Sequence, residues 1–293
     1  MKNKENKIVE IFGYSTKGKA PNDGWVEILS KQICPYTRNN KKCYKTRKSN
    51  PEISIGTCSV SHGKPLKPII ICPNRLTEKK QIFVDCIPLL TSHETGNELH
   101  IIPEVSIPGG HVDFVLASVK DKIVKDFVGI ELQALDTTGS VWSERQSFIK
   151  NLSLPTINDE EIANDKSFGI NWKMTAKTIL VQMHHKVQTF EHVNKKIVLV
   201  IQDSLLNYMQ KEFKFSHLTS AKMGDSVHFH SYLIKSNEEK LFNLAFDRKL
   251  STDSNGIAEC LGLQAEAKID LQHILEIIQS KLSRDTLFSP FKF

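Results

Sequence analysis

Residues 103–139 constrain this chain most: two apolar runs, one carrying an aspartate and the other a glutamate and a glutamine, separated by a charged turn. The first run reads Pro103-Glu-Val-Ser-Ile-Pro-Gly-Gly-His-Val-Asp113-Phe-Val-Leu, the second Phe127-Val-Gly-Ile-Glu131-Leu-Gln133-Ala-Leu. Strands are expected at 99–105, 111–118 and 127–135, with Lys120-Asp121-Lys122 as a hairpin turn. Glu131 and Gln133 lie two apart, so on a strand they face the same side, while alternate isoleucine, valine and leucine bury it. Burying Asp113 and Glu131 without a partner would cost several kcal/mol, so the pattern demands a metal or a basic group. Two carboxylates at one sheet edge suit Mg2+, which prefers carboxylate, water and phosphate oxygens, and that is the chemistry of phosphodiester hydrolysis. Gly109 and Gly110 are expected to let a large ligand approach the backbone. Glu104, nine residues before Asp113, is a second-tier metal ligand. Glu98 and His111 are weaker, and Asp136 fits better as a turn cap.

The formal net charge of +6 hides an asymmetry. Residues 1–80 carry 17 Lys and Arg against 6 Asp and Glu, and the rest 22 against 27. A polyanion such as DNA would feel that field. Lys41, Lys42, Lys45, Arg47 and Lys48 form the densest basic run, and Arg38 lies beside it with Tyr36 and Tyr44. These are the expected phosphate contacts, against a merely solvated loop. Arg38, Arg47, Asn50 and Arg145 are candidates for base edges by residue type alone. The polar opening MKNKENK and the lack of any apolar stretch near ~18 residues predict neither a signal peptide nor a membrane span, hence the cytoplasm.

In a reducing compartment clustered cysteines point to metal rather than disulfides. Cys34, Cys43, Cys58 and Cys72 are spaced by 9, 15 and 14 residues, with no Cys-x-x-Cys knuckle, and each lies in a turn-prone context. Four thiolates would give a tetrahedral site for iron or zinc and tie down an otherwise unsupported basic loop at 34–68. Unrelated core cysteines are the alternative, stronger for Cys72, which follows three isoleucines. Cys86 and Cys260 read as ordinary core residues.

Along the chain, a short strand is expected at Ile8–Phe12 and a helical turn at Trp25–Leu29. A helix capped by Asn74 should run through Leu76, Ile82, Phe83, Cys86, Ile87 and Leu90. Residues 136–168, with an acidic run at 159–161, should be an irregular surface excursion. Trp172–Phe190 reads as a helix, 195–201 as a strand covered on both faces, 205–213 as a helix, 227–234 as a strand, and 256–264 and 269–283 as closing helices. The boundaries that follow are a basic module over 1–73, a core over 74–205 and a C-terminal extension over 206–293.

The acidic motif resembles that of the restriction-endonuclease-like, or PD-(D/E)XK, superfamily. Asp113 matches its aspartate and Glu131 its second acid; Gln133 stands where lysine is usual, and the Pro-Asp dipeptide itself is absent. With the four cysteines, the chain is similar to the NotI-type restriction endonucleases over roughly residues 5–205. The resemblance implies an α/β, restriction-endonuclease-like core with a central mixed sheet flanked by helices, plus an N-terminal four-cysteine metal-binding module. It also implies a homodimer that uses Mg2+ to cut a palindromic sequence in double-stranded DNA, as a type II enzyme leaving 5′-phosphates. Asp113 and Glu131 would hold the metal and Gln133 would position water; Lys173 or Lys177 could reach the phosphate, although solvent-facing positions explain both equally. The rivals are a repair nuclease that reads DNA shape and a non-catalytic DNA-binding protein.

Overall fold

The apolar runs become strands of one large mixed sheet. The computed structural model describes residues 6–18, 21, 24–37, 39–47, 49–156, 168–261 and 271–288. The sheet contains β1 (Glu98–Ile107), β2 (Gly110–Lys120), β3 (Ile123–Gln133), β4 (Lys196–Gln202), β5 (Thr219–Ser220), β6 (Val227–Ser236), β7 (Phe242–Thr252) and β8 (Leu287–Phe288). Their order is β5-β7-β6-β4-β3-β2-β1-β8. β1, β2 and β3 form an antiparallel meander, and β4 lies parallel to both β3 and β6. β4 is almost wholly buried, as its unbroken Ile-Val-Leu-Val-Ile run requires of a strand covered on both faces.

The chain falls into two compact units. One comprises Lys80–Gln133, Lys173–Tyr232 and Phe246–Phe293; the other comprises Met1–Lys79, Ala134–Trp172 and Leu233–Ala245. In the first, the helix Trp172–His192 precedes β4 and buries Ala176, Ile179, Leu180, Met183, Val187 and Phe190 along one stripe. Two glycines seat it. A Cβ on Gly129 would stand 2.4 Å from Phe190 Cζ, and one on Gly109 only 2.6 Å from the His185 carbonyl oxygen. Gly109 also has φ +93°, which disfavours any side chain. Thr189 Oγ1 donates to the Pro108 carbonyl at 2.6 Å, closing the turn against the helix. The close approach expected of a ligand at this glycine pair is therefore made at Gly109 by the protein's own helix.

β6 in this unit carries two buried imidazoles. Burial lowers the pKa of His228 to about 4 and of His230 to about 2, with the Lys249 charge adding to both. These folded-state values lie below the ordinary 6.5, so protons favour the unfolded chain as pH drops. Stability present above pH 6.5 should fall by about 3 kcal/mol by pH ~5.5. Urea unfolding at pH ~8 and ~5.5 checks this, and a paired His228→Gln/His230→Gln variant should flatten the difference. Equal wild-type stability at both would refute it.

The other unit is built on a smaller sheet ordered Tyr14–Ser15, Ile8–Ile11, Thr57–His62, Lys67–Ile70. The helices Gly24–Lys31 and Trp142–Asn151 meet through Trp25 and Phe148, whose rings are edge-on at 5.2 Å. Residues 34–68, expected as loop, thus contain strands. Around Val60 their buried side chains include Thr57, Cys58, Ser59 and Ser61, too polar to announce burial. Helix Trp142–Asn151 lies where irregular chain was expected, because it buries Glu144, Arg145 and Gln146 and so shows no apolar stripe. The single helix expected from Asn74 is broken at Glu78–Lys80: Glu78 is extended, and Lys79 and Lys80 are left-handed. Arg75 and Glu78 belong to a buried ion network, and that tertiary demand overrides the helical pattern. The acidic run at 159–161 and the 262–270 portion of the closing helices lie outside the described residues. Among the described residues no helix is long and apolar enough to cross a membrane.

Candidate active site

The meander lines up the acids. β1 and β2 pair Pro103 with Phe114 and Val105 with Val112, and between them Glu104 leaves the regular ladder with a left-handed backbone, φ +51°. β2 and β3 pair up to Phe114 with Ile130, and one further step in that register brings Asp113 opposite Glu131. Opposed residues of antiparallel strands share a face, so Asp113 and Glu131 lie side by side, and Glu104 is near enough for its charge to act on both. In the next strand Leu199 and Ile201 stand beside Glu131 and Gln133. Gln133, half-buried at the end of β3, follows Glu131 on the same face.

Asp113 Oδ2 accepts a hydrogen bond from the Leu132 amide at 2.7 Å. Glu131 is buried, and its Oε1 accepts from Lys186 Nζ at 2.7 Å. Burial is the main force raising both carboxyls; Glu131 reaches about 7, pushed further by Asp113 and pulled back by Lys186. Glu104 raises both as well. Two carboxylates therefore share the Lys186 ammonium, and a site so disposed favours an added cation. Mg2+ is commonly held by one or two protein carboxylates, with water and phosphate completing its octahedron, so Asp113 and Glu131 fit it. No set of three or more His, Cys, Asp or Glu side chains among the described residues could enclose an ion. Glu104 thus acts on the pair through its charge without closing a third side.

Lys186 is the residue that sequence reasoning missed. It lies on the helix Trp172–His192, three residues after Met183 and one before Val187, on a buried face that is mostly apolar. A lysine there is itself a signal, because buried lysines need a partner. Lys173 and Lys177, the lysines expected to reach the phosphate, are exposed. Lys177 is nine residues from Lys186, roughly 13 Å along the axis, beyond the reach of one side chain.

The four cysteines are all buried in the other unit. Cys34 and Cys43 flank the Ile33–Lys42 bridge, while the Ile71 amide next to Cys72 donates to the Cys58 carbonyl. Burial raises the Cys34, Cys58 and Cys72 thiols, and each also feels the charge of others in the set. They do not converge closely enough to enclose a metal.

Of the basic run, Lys41, Lys42 and Lys45 are exposed and Arg47 is half-buried. Lys42 Nζ donates to the Glu52 carbonyl at 2.9 Å and Lys45 Nζ to the Ile71 carbonyl at 3.2 Å, so both also hold backbone. Arg47 lies over the Trp142 ring at 4.6 Å, with Arg145 also against it at 4.8 Å. Arg145 is buried, which withdraws it from the candidates for base edges. Arg38 and Lys48 lie outside the described residues.

Residues 26–244, about three quarters of the chain, match the protein family described as restriction endonuclease NotI. No curated protein matches the chain.

Proposed function

The chain belongs to the NotI restriction endonuclease family, and we propose from that premise and the acidic pair how it cuts. Its activity is that of a type II site-specific endonuclease on double-stranded DNA. The reading places a PD-(D/E)XK-type centre on the large sheet, and the observation that carries it is the half-buried Asp113 beside the buried Glu131, with the Leu132 amide on one and Lys186 on the other and both carboxyls raised. Asp113 and Glu131 hold the ion, the Leu132 amide fixes Asp113, and Gln133 orients water or lends its carbonyl oxygen. Mg2+, when bound, acidifies water and relieves charge on the phosphate.

Cutting a palindrome requires one centre per strand, so two copies related by a twofold axis are the natural assembly. A solution mass twice the 33.2 kDa of one chain is expected, and a monomer on DNA would remove this part. Lys41, Lys42, Lys45 and Arg47, with Arg38 and Lys48, supply phosphate contacts in this reading.

A structural iron or zinc on Cys34, Cys43, Cys58 and Cys72 extends the reading. Its support is the shared burial of the four thiols and their charge coupling. Such a site must tighten and lose protons on loading. Metal analysis of the purified protein should find one iron or zinc per chain, lost with lowered melting temperature in Cys58→Ser. Metal-free protein with an unchanged melting profile would eliminate the site.

The whole reading is tested by incubating long unmethylated DNA of known sequence with the protein, in Mg2+ or EDTA, and mapping every cut end. Discrete Mg2+-dependent fragments sharing one sequence and bearing 5′-phosphates are expected. Cuts that follow flaps or nicks, or none at all, would overturn it.

A further inference from the structure

We propose that Lys186 is the catalytic lysine of this site, delivered from the helix instead of the strand: it holds Glu131 in the resting protein and turns its ammonium to the scissile phosphate when DNA and metal arrive. This rests on the reading of Asp113 and Glu131 as the metal-holding pair. Beside Glu131 the strand supplies no positive charge of its own, since the position two after it is the neutral Gln133 and Lys125 lies six residues before it. Hydrolysis of a phosphodiester builds negative charge on the phosphoryl oxygens, and a fixed cationic donor beside them is the efficient remedy. Lys186 is the ammonium already at the carboxylates, 2.7 Å from Glu131 Oε1.

The packing is arranged to hold it there. The side chain is only 9% exposed, and its stem runs past Gly110, where a Cβ would come within 3.4 Å of Lys186 Cε. One residue before it, the His185 carbonyl is pressed on Gly109; four residues after it, Phe190 fills the space of the missing Gly129 side chain. Four helical residues and two strand residues each span roughly 6–7 Å, so the contact of Phe190 with Gly129 puts Lys186 over Glu131. A lysine kept only for stability would be poorly chosen, because buried ion pairs rarely outperform apolar packing. The ammonium has three donors. With a cation held at Glu131, Lys186 would no longer be needed to neutralise that carboxylate, and its ammonium would be free to donate to a nonbridging oxygen. Lys186 stays charged throughout: water forms the new P–O bond and gives its proton to solvent, while O3′ leaves with the electrons of the broken bond and takes a proton from solvent.

The test uses full-length wild type, Lys186→Met and Asp113→Asn with the same long unmethylated DNA. Single-turnover cleavage is measured at saturating Mg2+, DNA affinity in Ca2+, and Mn2+ binding by electron spin resonance. Lys186→Met is expected to slow cleavage about 100-fold or more, leave DNA affinity unchanged, and bind Mn2+ more tightly, because the competitor for Glu131 is gone. A structural lysine would instead weaken Mn2+ binding and cleavage together. Lys186→Gln carries the test if the methionine variant does not fold; failure of both to fold makes Lys186 a core residue and overturns the proposal. Cleavage within about tenfold of wild type also overturns it. An active Lys186→Met beside an inactive Asp113→Asn sinks this inference alone, whereas an active Asp113→Asn sinks the reading beneath it.

Discussion

Asp113→Asn is expected to lower Mg2+-dependent cleavage by about 1000-fold while leaving the protein folded and bound to DNA. Asparagine matches aspartate in shape, and its carbonyl oxygen can still accept the Leu132 amide that Asp113 Oδ2 accepts at 2.7 Å. What disappears is the negative charge, and with it one of two anionic ligands for a cation. The same change should relieve Glu131, whose pKa of about 7 is raised first by burial and then by Asp113. Without Asp113 that carboxyl moves back toward its usual range, so the metal-free variant should melt no lower than wild type. Loss of activity without loss of stability is the mark of a functional charge cluster held at the fold's expense. Cleavage rate, Ca2+-supported DNA affinity and thermal melting decide the matter together. Full cleavage would remove Asp113 from the site; lost cleavage with a collapsed melting curve would make it structural.

The parts legible in the sequence were those where polarity and burial disagree. Asp113 and Glu131 interrupt apolar strands, and the cost of hiding a carboxylate made them conspicuous before any pairing was known. The β2–β3 hairpin, β4 and the helix Trp172–His192 follow from periodicity, because their apolar residues repeat as the element requires. Less visible was whatever depends on register. Glu104 comes near Asp113 only once β1 and β2 are aligned, and Lys186 meets Glu131 only when the helix is laid on β3. Its place on a mostly apolar face gave a clue that the two exposed lysines earlier in the helix obscured. The smaller unit concealed its order for a different reason. Its inward positions include serine, threonine, cysteine, glutamate and arginine, which hydropathy reads as surface.

Arg75 shows how much rests on those bonds, and Arg75→Met should destabilise the smaller unit by about 3–5 kcal/mol. Arg75 is fully buried, with Nε 2.9 Å from Glu10 Oε2, Nη1 2.9 Å from Glu78 Oε2 and Nη2 2.9 Å from the Phe242 carbonyl. Ser59 Oγ also donates to Glu10 at 2.6 Å, and the guanidinium lies over the Tyr36 ring at 5.0 Å. Methionine approximates the apolar stem but leaves Glu10 buried without its cation. Burial already raises the Glu10 pKa, with Arg75 as the chief force lowering it, so the variant raises it further. A carboxyl whose folded-state pKa exceeds the unfolded value loses stability as pH rises through that folded value. The defect should therefore be larger at pH ~8 than at pH ~5.5, where Glu10 can bury itself as the neutral acid. Adding Glu10→Gln removes the stranded charge and should restore part of the loss at pH ~8, a coupling that a double-mutant cycle measures directly. A defect that neither varies with pH nor responds to Glu10→Gln would mean that lost packing of the arginine stem, and not the ion network, holds this unit together.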